Sequence, residues 1–235
     1  NIVGYAPTEG LVSRDGVIPN STTLDRVGLM GRYVSDIAAM LNYSIGLDAA
    51  DPITARSADV LKQQPFVGVP DPQRLKGARL GVFRPVFTSD DPVTQEARAL
   101  ADLALADLKS AGAVLVDPVN INGDVHDLLN TPSLGITELK DGLNGYFASL
   151  GPDSPIQSLS DLVADGGIIF NKFERYKAVL ANAPGYDSPE YKKDLAKRST
   201  LRAELERLME AQNLDGLVYL HNLYPAQYIN APVKY

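Results

Sequence analysis

Residues 78–83 (ARLGVF), 93–110 (VTQEARALADLALADLKS) and 113–119 (AVLVDPV) decide the fold. The first and last are short apolar runs without polar alternation, the pattern of strands buried on both faces. Between them, Asp90 and Asp91 stand as helix caps ahead of Pro92. Val93, Ala97, Leu100, Ala104 and Leu108 then make one apolar stripe that stops before Gly112. Strand, helix and strand with short joints form a parallel unit with a right-handed crossover. The expected architecture is α/β, a mixed β-sheet core flanked by helices on both faces.

Toward the C-terminus the chain turns mainly helical over 131–214. In ITELKDGLNGYFASL (136–150), Leu139, Leu143, Phe147 and Leu150 share one face. Ser158 and Asp161 make a capping pattern, and Ser188 caps a helix that Pro189 opens. That helix carries Tyr191, Leu195, Leu201, Leu205 and Leu208 on its apolar side and runs into LDGLVYL (214–220), a third buried strand. Strands at 79–84, 113–117 and 216–220 are expected in one sheet. Toward the N-terminus, GRYVSDIAAMLNYSIG (31–46) predicts a helix with Val34, Ile37, Ala38 and Leu41 inward and Gly46 as its stop. Asp15-Gly16, between Leu11-Val12 and Val17-Ile18, predicts a hairpin or tight turn. No repeat or linker interrupts the chain, so residues 1–235 read as a single domain.

Composition removes several classes of function. Hydrophobic residues make up 45% of the 235, with a mean hydropathy of −0.09, enough for a sizeable core. The net charge is −7 and the basic residues are scattered, so nucleic acid and membrane are not expected partners. Without cysteine there is no disulfide, thiolate metal site or cysteine nucleophile. His126 and His221 are the two histidines and lack metal-ligand spacing, so no metal is expected. No Gly-x-x-x-x-Gly-Lys, Gly-x-Gly-x-x-Gly or Gly-x-Ser-x-Gly pattern occurs. Ser13 beside Arg14 and Asp15 superficially suggests charges around a hydroxyl, but Ser-Arg-Asp-Gly reads first as a turn with an exposed charge pair.

The opening NIVGYAPTEGLVSRDGVIP (1–19) has no initiator Met and reads as the interior of a longer chain. Its Gly4, Pro7, Thr8, Gly10, Val12, Ser13, Arg14, Gly16 and Pro19, followed by Asp25, Gly28, Met30, Arg32, Val34 and Asp36, keep an ordered spacing. This pattern resembles the amidase signature family, whose segment runs G-x-K-P-T-x-G-x-V-S-R-x-G-x-x-P and then D-x-x-G-P-M-A-R-x-V-x-D. Ala6, Leu29 and Gly31 depart from it. The resemblance continues more loosely through the βαβ unit, the helical stretch and the strand at 214–220.

What the resemblance implies is an amidohydrolase: a serine hydrolase with a Ser, cis-Ser and Lys triad that cleaves a carboxamide through an acyl-enzyme, without a cofactor. The nucleophile would lie roughly ten residues before Asn1 and the other triad members further upstream. No catalytic residue is therefore expected in this chain, which would supply scaffold and pocket wall. The wall candidates are Tyr219, His221, Asn222 and Tyr224, in the strand end and loop that line the family's acyl pocket. The expected partners are a small-molecule amide and the N-terminal and C-terminal segments, or another chain, that complete the fold; alone, residues 1–235 should leave open strand edges. Two other readings stand beside this one, a non-catalytic relative serving as a binding module and an amidotransferase subunit. The compartment is open, with a leaning to the cytoplasm.

Overall fold

The computed structural model describes residues 2–62, 65–66, 71, 73–87, 93–166 and 170–220. In chain order its elements are β1 (Val3–Tyr5), β2 (Leu29–Gly31), α1 (Val34–Ser44), α2 (Ala58–Leu61), β3 (Arg79–Phe83), α3 (Val93–Ser110), β4 (Val114–Val119), α4 (Val125–Leu129), α5 (Pro132–Ser149), α6 (Leu159–Asp165), α7 (Phe170–Asn182), α8 (Pro189–Ala211) and β5 (Gly216–Val218). They fall into two compact units, each drawn from two stretches of chain. One takes Asn1–Pro70 and Thr131–Ala196, the other Asp71–Asn130 and Lys197–Tyr235.

The second unit holds the three strands expected from the sequence, in one sheet. β3 lies in the middle and pairs parallel with both β4 and β5. Alternate residues face opposite sides, and both sides are covered. Val82 packs with Leu115 and Val218 against Ala101, Leu105 and Leu108 of α3. Phe83, Val116, Val119 and Leu217 pack instead against Leu201, Leu208 and Met209 of α8 and Val125 of α4. This is why the strands lack a polar alternation. The helical stripe differs from the expected one: Leu105 is buried, while Leu100 is 60% exposed. The face that meets the sheet runs through 101, 105 and 108, and Leu100 is rotated about 100° away from Ala101. Asp90, Asp91 and Pro92, the expected caps, lie outside the described residues.

The first unit pairs β1 with β2 antiparallel, Gly4 opposite Met30. α1 follows and buries Ile37 and Leu41 against Leu11 and Ile45, while Val34 stays exposed at its first turn. Asp15-Gly16 makes the tight turn, closed by the Val17 N–H on the Arg14 carbonyl at 3.0 Å. No hairpin accompanies it, because Val12 bridges to Ile45. In α5, Leu139 and Leu143 are buried against Leu159 of α6 and Val179 of α7, with Phe147 beside them. Leu150 closes α5 half exposed. The local caps are those read from sequence: Ser158 Oγ accepts the Asp161 N–H, and Ser188 Oγ the Tyr191 N–H, each at 3.1 Å.

Candidate functional site

The ordered motif of residues 4–36 folds within the first unit, and most of its polar members build structure. Pro7 is buried, and the Thr8 carbonyl accepts the Leu11 N–H at 3.1 Å to close a turn. At Gly10 φ is +85°, and a Cβ there would lie 2.5 Å from the Ile53 carbonyl oxygen. The turn packs backbone on backbone, which excludes a side chain. Gly28 runs directly into β2, and Arg32 is exposed between β2 and α1. The Asp36 carboxylate accepts the Tyr33 N–H at 2.9 Å, capping the N-terminus of α1 where the helix dipole favours a negative charge.

Ser13 and Arg14 reach 35 and 37 residues along the chain. Ser13 Oγ donates to Asp48 at 2.6 Å and accepts the Asp15 N–H at 3.1 Å. Arg14 grips Asp51 with Nε and Nη2, each at 3.0 Å, and with its own backbone N–H at 2.9 Å. Its Nη1 donates to the Thr22 carbonyl at 2.6 Å. The expected exposed pair with Asp15 is thus replaced by a two-pronged, largely sheltered pair with Asp51, the geometry in which Arg–carboxylate bonds are strongest. These hydrogen bonds hold the Asp51 carboxyl below the usual carboxylate range, and the Ser13 hydroxyl does the same for Asp48. Asp25 folds the next loop, its Oδ2 accepting the N–H groups of Asn20 and Ser21 at 2.7 and 2.8 Å.

Glu138 of α5 is fully buried. One oxygen accepts the Ser21 hydroxyl and, at 3.0 Å, the Thr23 N–H. The other accepts the Thr23 hydroxyl and, at 2.8 Å, the phenol of Tyr191. Burial by itself pushes the carboxyl upward; the hydrogen bonds from Ser21, Thr23 and Tyr191 together outweigh it and leave the group below its ordinary value. Burial first, then the bond to Glu138, pushes the Tyr191 phenol up to about 12. Sequence reasoning missed Glu138 and Asp51. The signal for Glu138 was a charged residue four positions after Leu134, on the buried face of a helix.

A cleft of about 260 Å³ opens among three segments of this unit. The motif loop contributes Arg14, Val17, Pro19, Thr22 and Asp25, the second segment Ala50 and Asp51, and α5 contributes Asp141, Gly142, Gly145 and Tyr146. Of the motif residues, Arg14 and Asp25 line it, and Ser13 precedes Arg14 in the same loop. Tyr219, which follows β5, is 56% exposed; His221, Asn222 and Tyr224 lie outside the described residues. His126 is exposed on α4. Among the described residues, no group of three or more His, Cys, Asp or Glu could hold a metal, and no helix is long and apolar enough to cross a membrane.

The family model for amidases matches residues 1–232. The chain belongs to the amidase family. A probable amidase of Arabidopsis thaliana is 28% identical over 232 residues, which are 94% of this chain and 43% of the plant protein. A glutamyl-tRNA(Gln) amidotransferase component from Ralstonia pickettii is 35% identical over 124 residues, 49% of this chain and 24% of that protein. Among solved structures, the native peptide amidase from Stenotrophomonas maltophilia matches with a TM-score of 0.68 and 30% identity, over 93% of this chain and 44% of that one. This amidase chain therefore spans less than half the length of these relatives.

Proposed function

We propose that the intact protein is an amidohydrolase that cleaves the C–N bond of a small carboxamide. The observation that carries this reading is the family match over 1–232, joined to a motif loop whose Arg14–Asp51 pair and Asp25 turn are formed in the structure. In the chemistry of the family, a serine Oγ adds to the amide carbonyl carbon while its proton passes through the cis-Ser to the neutral Lys amine. Backbone N–H groups hold the oxyanion, the C–N bond breaks, and the leaving amine takes the proton. Water then hydrolyses the acyl ester and frees the serine. No triad member is assigned to residues 1–235, no cofactor is required, and both units belong to one amidase-type domain. This chain supplies scaffold and substrate wall: the cleft beside Arg14, with Tyr219, His221, Asn222 and Tyr224 as candidates on the acyl side.

The test is labelling of the intact protein with a fluorophosphonate, followed by mapping of the modified peptide. Modification of one serine in a Gly-Gly-Ser-x-Arg segment is expected; an unlabelled protein would favour the non-catalytic binding module. A second reading, in which the chain is part of an amidotransferase, draws on the likeness to the Ralstonia pickettii protein. Ammonia release from glutamine that depends on a second protein would establish it over the first. We also propose that further segments of the intact protein, or another chain, cover the apolar residues left open beside β1 and β2. There Ile2, Met30, Tyr33 and Val34 are 66%, 71%, 67% and 55% exposed. Residues 1–235 expressed alone should then fail to give a soluble monomer with a cooperative thermal transition, and such a monomer would refute the point.

A further inference from the structure

We infer that Glu138 is a positioning residue for the Arg14 wall of the cleft, and so for the part of the amide substrate that meets it. The inference rests on the amidohydrolase reading above. A buried carboxylate needs compensation, and the described structure gives Glu138 none from a cation. Its two oxygens are satisfied by four donors, three of which come from Ser21 and Thr23. Those two residues bracket Thr22, which lines the cleft and whose carbonyl holds Nη1 of Arg14. Asp25 ties the same loop from its other end. On α5, Asp141 and Gly142 lie three and four residues after Glu138, on the same side of the helix, and form the opposite wall. A Cβ on Gly142 would come within 3.2 Å of Pro19, so the loop rests directly on the helix. Glu138 therefore fixes the separation of the two walls. Tyr191 fixes Glu138 in turn, from α8.

Glu138→Gln keeps the shape but turns one double acceptor into a donor, which faces either the Ser21 hydroxyl and Thr23 N–H or the Thr23 and Tyr191 hydroxyls. In the intact protein, with active sites counted by fluorophosphonate labelling, KM for a carboxamide should rise about tenfold while kcat per labelled site changes less than about threefold. Tyr191→Phe removes one donor outside the loop and should raise KM about threefold; it decides the matter if Glu138→Gln does not fold. A purely structural role lowers the number of labelled sites and leaves KM unchanged. KM within about twofold of wild type in the folded variants overturns the inference. A wild-type protein that neither labels nor turns over any amide overturns the amidohydrolase reading itself, and the inference with it.

Discussion

Gly10 and Gly16 both hold positive φ, +85° and +77°, but their surroundings differ. An added Cβ meets the Ile53 carbonyl at Gly10 and nothing within 4 Å at Gly16. The left-handed conformation costs an ordinary residue about 1–2 kcal/mol, so Gly16→Ala should lose about that much. Gly10→Ala adds a backbone collision and should lose about 3 kcal/mol or more, read from urea denaturation of the intact protein. Equal losses would contradict the close approach. The carboxylates make a second prediction. Asp51 and Glu138 sit below their ordinary values of 3.8 and 4.5, so the unfolded chain binds their protons first as the pH falls. Their stabilisation is complete above those ordinary values and is lost progressively as pH drops from them through the lower values the groups have in the folded protein. The urea midpoint of the intact protein should fall as the pH drops below about 5, and Asp51→Asn should flatten the fall; a flat wild-type profile would contradict it. Asp36, Ser158 and Ser188 were legible in sequence as motif or cap because their partners lie three residues away. Asp51 and Glu138 were not, because their partners lie 37 and 53 to 117 residues off.

At the scale of elements, α3 separates what periodicity shows from what it leaves open. Alanines and leucines alternate along LADLALADL (100–108), so several faces of the helix are nearly equally apolar. The sheet selects one of them, with Leu105 at 6% exposure and Leu100 at 60%. Leu105→Ala should cost about 2–5 kcal/mol through the cavity it leaves between α3 and β3. Leu100→Ala should stay within about 0.5 kcal/mol of wild type. Thermal denaturation of the two variants of the intact protein checks this, and comparable losses would contradict the placement of Leu105 on the sheet. The strands were legible because both of their faces are covered and their apolar runs are unbroken. β1 and β2, three residues each, carry too little pattern to stand out from the turns around them. α7 lies in the stretch read as mainly helical but was not singled out: its sequence mixes charged and apolar residues, and among its described side chains only Val179 is buried.

For the whole molecule, the chain leaves the first compact unit after residue 70 and returns to it at 131. That return joins Ser21 and Thr23 to Glu138, and Pro19 to Gly142, contacts that no local pattern contains. The motif loop, the segment of Ala50 and Asp51, and α5 then form one cleft from three parts of the sequence, which is why motif reading found Arg14 and Asp25 but not the other walls. We propose that this scaffold belongs to an enzyme that hydrolyses carboxamides by a serine mechanism without a metal or cofactor. It is tested most directly by measuring ammonia and acid released from simple carboxamides by the purified intact protein, before and after dialysis against EDTA. The account predicts equal amounts of acid and ammonia, at a rate that EDTA leaves unchanged and prior fluorophosphonate treatment abolishes. Release that disappears with EDTA, or persists after complete serine modification, would contradict it.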